Sequence, residues 1–493
     1  MKSRKLYLVF ATLLFAAILP ARALAQSQSS NDEAQQLRKL VEQMQAQMSK
    51  MQTEIDQLKG TKPETPPTQQ TTAPAVPPSQ QEGTIQTAQP PLQGTTSPQV
   101  GEATEQYREF SEDTVAAPRH DNVPLDPKYN GFFRLPGTQD ILKIGGYFKT
   151  DFIYDLKPAG NTAAFVPSSF PVPQLSMVNN ANVSIQPTRL SLDFRIPSSQ
   201  VGEVRFYVEA DFFGSTTTTP RLRHAYAQVK NILIGQTFTN FMDPDAFPDT
   251  LDFQGPNGMV NLRNPQVRYG FALGPSTTFY VSVEKPSSDV LFKTPLGSDQ
   301  PNAPAPDGAI RLRQEFERGH FQVAAIFRDI AAYLPDGRTG TVFGCGVNTS
   351  VGFQTFGRDN VIFAVTGGHG VSRYIQDTSG LGIDAEPTST PSPHLQATPA
   401  FGVEASYQHY WLKRVRSSAF YSYAAVNKTN LALPTTYNHA TYTGTNLIWN
   451  PLGSFNVGAE FLYGWVMDQN NKSANDPRIQ ISGKYSFVKV NSN

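Results

Sequence analysis

The sequence predicts an all-β fold: a 16-stranded antiparallel transmembrane β-barrel, preceded by a short N-terminal coiled-coil helix and a disordered linker. Three observations carry this. From Ile141 onward, apolar and polar residues alternate with a period of two. The joins between these segments are by turns tight and long. Charged residues are only 17% of the 493, against ~25% in a soluble chain, while aromatics reach 11%. A mean hydropathy of −0.36 rules out a bundle of transmembrane helices. It suits a barrel, whose apolar residues come every second position.

The N-terminus reads as an export signal, residues 1–25. Lys2, Arg4 and Lys5 precede an apolar run from Leu6 to Leu19, and Ala23-Leu24-Ala25 supplies the small-x-small cleavage pattern. The run is shorter than the ~20 residues that span a bilayer. Lys+Arg and Asp+Glu are both 41, so the whole chain is formally neutral. Removal of a signal with four basic residues and no acid leaves the exported chain mildly acidic. Neither balance suits a nucleic-acid partner.

Residues 31–59 form the coiled coil. Leu37, Val41, Met44, Met48, Met51, Ile55 and Leu58 are spaced alternately four and three apart, the heptad seam. Three heptads are marginal alone, so the coil depends on chains held together elsewhere. Gly60 ends the helix. Residues 60–118 are rich in Pro, Gln and Thr and hold too few large apolar side chains to fold, which makes them a tether. A lead-in segment, 119–140, precedes the barrel at 141–487.

Within the barrel, Arg189-Leu190-Ser191-Leu192-Asp193-Phe194-Arg195-Ile196 shows the alternation plainly. A soluble sandwich would turn the charged face outward, and a membrane barrel turns it into a wet lumen. Alternation does not separate the two, but connection lengths do. Seven tight joins, at 197–201, 230–231, 274–276, 318–319, 357–359, 413–415 and 451–454, follow every even strand. Joins after odd strands include the long 157–183, 239–264, 286–307 and 375–397. Short turns on one rim and long loops on the other are the outer-membrane pattern, and an even count puts both termini on the periplasmic side. Phe152 and Tyr154, Tyr407 and Trp411, Tyr463 and Trp465, and Tyr485 and Phe487 share the outward phase and fit interfacial girdles.

The inward phase supplies candidate pore-lining residues. The basic ones are Lys143, Lys149, Arg189, Arg195, Arg205, Arg268, Arg311, Arg313 and Arg328. The acidic ones are Asp151, Asp193, Glu209, Asp211, Glu284 and Glu315. The join 239–264 carries Asp243, Asp245, Asp249 and Asp252 among apolar residues that suit an exposed loop poorly. We expect it to fold into the barrel and set acids against an arginine wall. That arrangement predicts a mild anion preference, reduced by replacing Arg311 and Arg313 with Ala.

Two stretches carry a family resemblance. One is Gly131-Phe132-Phe133-Arg134-Leu135-Pro136-Gly137-Thr138 with the following Ile141–Asp151. The other is Arg221-Leu222-Arg223-His224-Ala225-Tyr226-Ala227-Gln228-Val229 with Ile232–Thr237. They resemble the DcaP-like trimeric porins of Gram-negative outer membranes, as does an exported coil and linker before a barrel. The resemblance covers most of residues 31–487. It implies sixteen strands per chain, a homotrimer of three pores, and diffusion of small anionic solutes such as dicarboxylates. One feature departs from the usual barrel ending: Phe487 is followed by Val488–Asn493 instead of closing the chain.

No catalytic, cofactor or metal chemistry is expected. The single Cys345 excludes an intramolecular disulfide and multi-cysteine zinc sites. The seven His are scattered, Gly367-Gly368-His369-Gly370 lacks the helix of a phosphate loop, and no G-x-S-x-G elbow occurs. The sequence therefore favours a passive porin in the outer membrane, with lipid as its surroundings. The alternative is a structural or adhesive barrel whose coil contacts the periplasmic cell wall and which has no open pore.

Overall fold

The computed structural model describes residues 131–487, apart from 176–178, 198, 215–217, 291–302, 335–336, 389–393 and 428–434. The signal peptide, the coiled-coil seam, the linker and the first part of the lead-in lie outside the described residues.

Sixteen antiparallel strands form one closed barrel. They are β1 (Ile141–Asp155), β2 in two pieces (Asn180–Ser184 and Arg189–Ile196), β3 (Val204–Asp211), β4 (Arg221–Val229), β5 (Ile232–Phe238), β6 (Arg263–Ala272), β7 (Thr277–Glu284) and β8 (Asp307–Phe316). They continue as β9 (Gly319–Tyr333), β10 (Thr339–Gln354), β11 (Asn360–His369), β12 (Pro399–Leu412), β13 (Val415–Val426), β14 (Tyr437–Trp449), β15 (Phe455–Asp468) and β16 (Ser473–Ser486). Each pairs with its neighbours in sequence, and β1 closes onto β16 with Phe152 opposite Ile481. Closure leaves no sheet edge with unpaired backbone groups, the condition for lying in hydrocarbon. Phe487 seals the seam: its N–H donates to the Gly146 carbonyl at 3.0 Å and its ring packs edge-on against Phe148.

Two strands depart most from the sequence expectation. The second starts earlier than 184 and breaks at 185–188. Pro187 has no N–H to give the ladder. Thr188 replaces the lost bonds, its hydroxyl accepting from Lys149 N at 3.1 Å and donating to Lys149 O at 3.2 Å. The eleventh, expected to reach 374, stops at His369. Gly370 turns the chain at φ +70°, a conformation that glycine adopts without penalty, and a 3-10 turn at Ser372–Tyr374 buries Tyr374 instead.

The outer face is apolar. Phe148, Leu192, Phe206, Ile234, Phe271, Phe343, Phe363 and Phe461 are all exposed. A belt this continuous is unsuited to water and fits the acyl region of a bilayer.

The packed core lies inside the barrel. Phe165 and Phe170 come from the β1–β2 loop. Phe241, Met242, Met259 and Val260 come from the β5–β6 loop, and Val371, Tyr374, Ile375 and Ile383 from the β11–β12 loop. They pack on the inward Ile326 of β9, Ala424 of β13, Tyr442 of β14 and Leu462 of β15. Small wall residues make the space: a Cβ at Gly464 would meet the rings of Phe165 and Phe170 at 2.9 and 2.8 Å. Each buried aromatic contributes about 1.5–3 kcal/mol to holding the loops down. The loops thus fill the β9–β16 side of the lumen.

Candidate functional site

The loop between β5 and β6, residues 239–262, crosses the barrel and is pinned to the opposite wall at successive points. Asp243 comes first. It accepts from Arg313 of β8 at 3.0 Å and from Ser350 of β10 at 2.6 Å, with His320 Nε2 of β9 at 2.8 Å. Arg313 also pairs with Asp245 at 2.7 Å and Glu315 at 2.7 Å. Burial pushes the Asp243 carboxyl up. His320 and Arg313 outweigh that, aided by the Ser350 hydroxyl, and hold it well below the usual carboxylate range.

Further along, Asp249 pairs with Arg416 of β13 and accepts from Gln408 of β12 at 2.8 Å. Glu460 of β15 then accepts from the backbone N–H of Leu251 at 2.7 Å and of Asp252 at 2.8 Å. Lys149 of β1 and Gln480 of β16 donate to the Leu251 carbonyl. On the return, Gly258 lies against Gly402 of β12. A Cβ at Gly402 would stand 2.1 Å from the Gly258 carbonyl oxygen, so this approach requires glycine.

Between this loop and the β1–β6 wall lies a cavity of about 160 Å3. The wall contributes Tyr147, Lys149, Arg189, Arg221, Arg223 and Arg263, and the loop contributes Asp249 through Gln254. Most of these charges are compensated. Arg221 pairs with Asp211 at 2.7 Å, and Arg223 with Glu209 at 2.7 Å and Asp211 at 2.8 Å. Lys149 pairs with Asp151 at 3.2 Å.

Arg189 and Arg263 differ. Among the described residues neither side chain has an ion pair or a hydrogen bond. Arg189 is 8% exposed and its Nε has no partner. Its guanidinium lies 5.4 Å from the Tyr147 ring and 5.5 Å from that of Phe253. Arg263 lies 5.6 Å from the Phe238 ring. Aromatic faces attract these cations without neutralising them. Phe253, at the loop tip, also approaches Arg221 and Arg223 and stacks on Phe213 at 4.1 Å. The acids facing this wall are weak opponents. Asp249 is spent on Arg416, and burial raises the Asp252 pKa despite Arg478 and the amides of Phe165 and Gly255.

The other residues named from sequence are distributed along the lumen. Arg195 and Arg205 share Asp193, and Arg195 also pairs with Glu203. Lys143 stacks over Phe132 at 5.7 Å. Arg311 and Arg268 stack on Tyr280 at 4.0 and 5.9 Å. Glu284 accepts from the Asn240 amide at the root of the crossing loop. Arg313 is corrected from a wall charge to a loop anchor, because three carboxylates enclose it. Arg328 is likewise engaged, by Asp307 at 3.2 Å and Asp384 at 2.9 Å.

Arg221, Arg223, Arg263 and Arg416 were missing from the sequence-based set of lumen residues. Arg221-Leu222-Arg223 does show the inward alternation. A bulge then lets both Arg223 and His224 turn inward, which a strict period of two hides. Arg263 begins β6 two residues before the expected strand start, so it counted as loop.

The geometry can be set beside known proteins. The family model for the DcaP outer membrane protein matches residues 134–487. Among solved structures, the outer membrane channel DcaP of Acinetobacter baumannii superposes with a TM-score of 0.63 at 23% identity. That match covers 72% of this chain and 99% of that one. OmpT of Vibrio cholerae, folded in vitro, gives 0.46 at 10% identity over 71% and 98%. OprB of Pseudomonas putida gives 0.46 at 8% over 70% and 94%. No curated protein matches. The chain belongs to the DcaP outer membrane protein family, and its sixteen-stranded, porin-like barrel is an outer-membrane structure.

Proposed function

We propose that this chain is a water-filled channel for passive diffusion of small hydrophilic solutes, favouring anions such as dicarboxylates, with no catalytic step. The observation that carries the reading is the uncompensated pair Arg189 and Arg263 on the wall opposite the crossing loop. A guanidinium offers a flat fork that pairs carboxylates bidentately and keeps its charge at any working pH. Phe253 and Tyr147 hold Arg189 in place without consuming that fork. Contacts of this kind must stay weak enough for release, which a hydrated lumen ensures.

Planar-bilayer recording under a salt gradient tests it. The expected reversal potential shows anion preference. Cation preference in the unmodified protein would overturn the selectivity. A folded protein without conductance would leave the structural, cell-wall-tethered barrel as the better reading.

We also infer a homotrimer held by barrel walls, with the coil secondary. Ala225 and Ala227 on β4, which alternate with the buried Tyr226, give the outer face of that wall small residues suited to close approach, whereas Gly235 on β5 stands opposite Tyr226 on the lumen face. Deleting 26–118 should leave a trimer on native gels, and a clean shift to monomer would assign the association to the coil.

A further inference from the structure

The turns between β10 and β11, β12 and β13, and β14 and β15 form one cationic, aromatic patch on the short-turn rim. We propose that this patch binds the headgroup of an anionic phospholipid of the periplasmic leaflet, with its acyl chains against the adjoining wall.

The patch is built. Arg358 donates to the Lys413 carbonyl at 3.2 Å and lies 4.5 Å from the Tyr410 ring. Arg414 donates to the Pro451 carbonyl at 3.0 Å. These bonds tie three successive turns together and gather three basic residues on one stretch of the rim. Lys413 and Arg414 are exposed and make no ion pair among the described residues. The acid nearest them is consumed: Asp359 accepts from the Tyr407 hydroxyl at 2.7 Å and the Tyr410 amide at 2.8 Å, with His409 Nδ1 at 2.7 Å.

Apolar side chains stand directly beside these charges. Phe356 is 81% exposed, Leu452 74%, Leu412 66% and Trp411 61%, and Trp449 is exposed as well. Apolar groups this large at turn tips are unfavourable in water and favourable among acyl chains and glycerol. A phosphate opposite three cations, above chains that meet Trp and Leu, satisfies both halves of the patch. Short turns mark the periplasmic rim. The patch is also half a barrel away from the β4–β5 wall, so it faces lipid even in a wall-to-wall trimer.

The chain supplies its own probe. Trp411 and Trp449 are two of its three tryptophans, the third being Trp465. Full-length protein is placed in mixed bilayers in which either phosphatidylglycerol or phosphatidylcholine carries brominated chains, and tryptophan quenching is compared. Phosphatidylglycerol should occupy the site at least about threefold more than its mole fraction predicts. That preference should fall towards one in Arg358→Gln/Lys413→Gln/Arg414→Gln and in high salt. A Trp411→Phe/Trp449→Phe variant, which reports Trp465 alone, should show none. Equal quenching by both lipids in the unmodified protein would overturn the proposal. So would a preference that survives the triple substitution, which would move the site elsewhere. If the triple variant fails to fold, the salt dependence decides, since a salt-independent preference excludes a charge-held headgroup.

Discussion

Replacing Arg189 and Arg263 together with Glu is expected to invert the selectivity of the pore from anions to cations. Both guanidiniums line the cavity, and neither has a carboxylate partner among the described residues. A unit charge about 6 Å from a passing ion contributes about 3 kcal/mol at an effective dielectric of about 20. Water and salt in the lumen reduce this to roughly 1 kcal/mol per site. Reversing two charges changes the local potential by twice that of deleting them, so the permeability ratio should move by at least about tenfold. The Gln pair should only abolish the preference. Arg205→Gln is the control: Arg205 is spent on Asp193, which Arg195 also holds, so its loss should change the ratio little. Reversal potentials for the three variants decide the matter, and equal effects from Arg205 and Arg189 would sink the unpaired-cation account.

Arg313→Ala should release the crossing loop. The guanidinium is almost wholly buried and touches Asp243, Asp245 and Glu315. Removing it leaves two loop carboxylates buried beside each other. Breaking such a buried pair from one side costs about 3–5 kcal/mol. That offsets one or two of the loop's buried apolar contacts, at about 1.5–3 kcal/mol each, while the barrel ladder is untouched. The expected signature is larger, noisier single-channel conductance with strand content unchanged. Unaltered conductance would show that the Glu460 and Asp249 anchors suffice. The latch should tolerate mild acid. Asp243 titrates below its unfolded value, so its stabilisation is complete above an ordinary carboxylate pKa of ~3.9 and is lost as pH falls through the lower folded value.

The barrel was legible because a period of two is local. Each strand announces its own faces, and the rhythm of tight and long joins numbers them. The constriction was only half legible. Alternation placed Arg189 and Arg313 in the lumen alike, yet one is unpaired and the other enclosed. The difference arises from Asp243, 70 residues from Arg313 and 77 from His320, and only a folded barrel brings these together. Likewise, the apolar character of 239–264 suggested an inward loop, but its contacts with β8–β16 and β1 depend on barrel diameter and tilt, which no local pattern encodes.

The inward-facing core has a kinetic consequence. Its contacts join the two ends of the barrel: Arg478 on β16 donates to the Asn161 carbonyl, 317 residues away, and Phe165 meets Tyr442 on β14. Contacts of such high sequence separation are slow to form, and so is the closing pairing of β1 with β16. The seat of the crossing loop spans that seam, since Lys149 of β1 and Gln480 of β16 both donate to the Leu251 carbonyl. The full set of loop contacts therefore exists only in the closed cylinder. A cylinder closed ahead of its loops would carry a wider bore than the finished one, and would be a leak across the membrane for as long as Phe165 and Phe170 stayed out of their cleft.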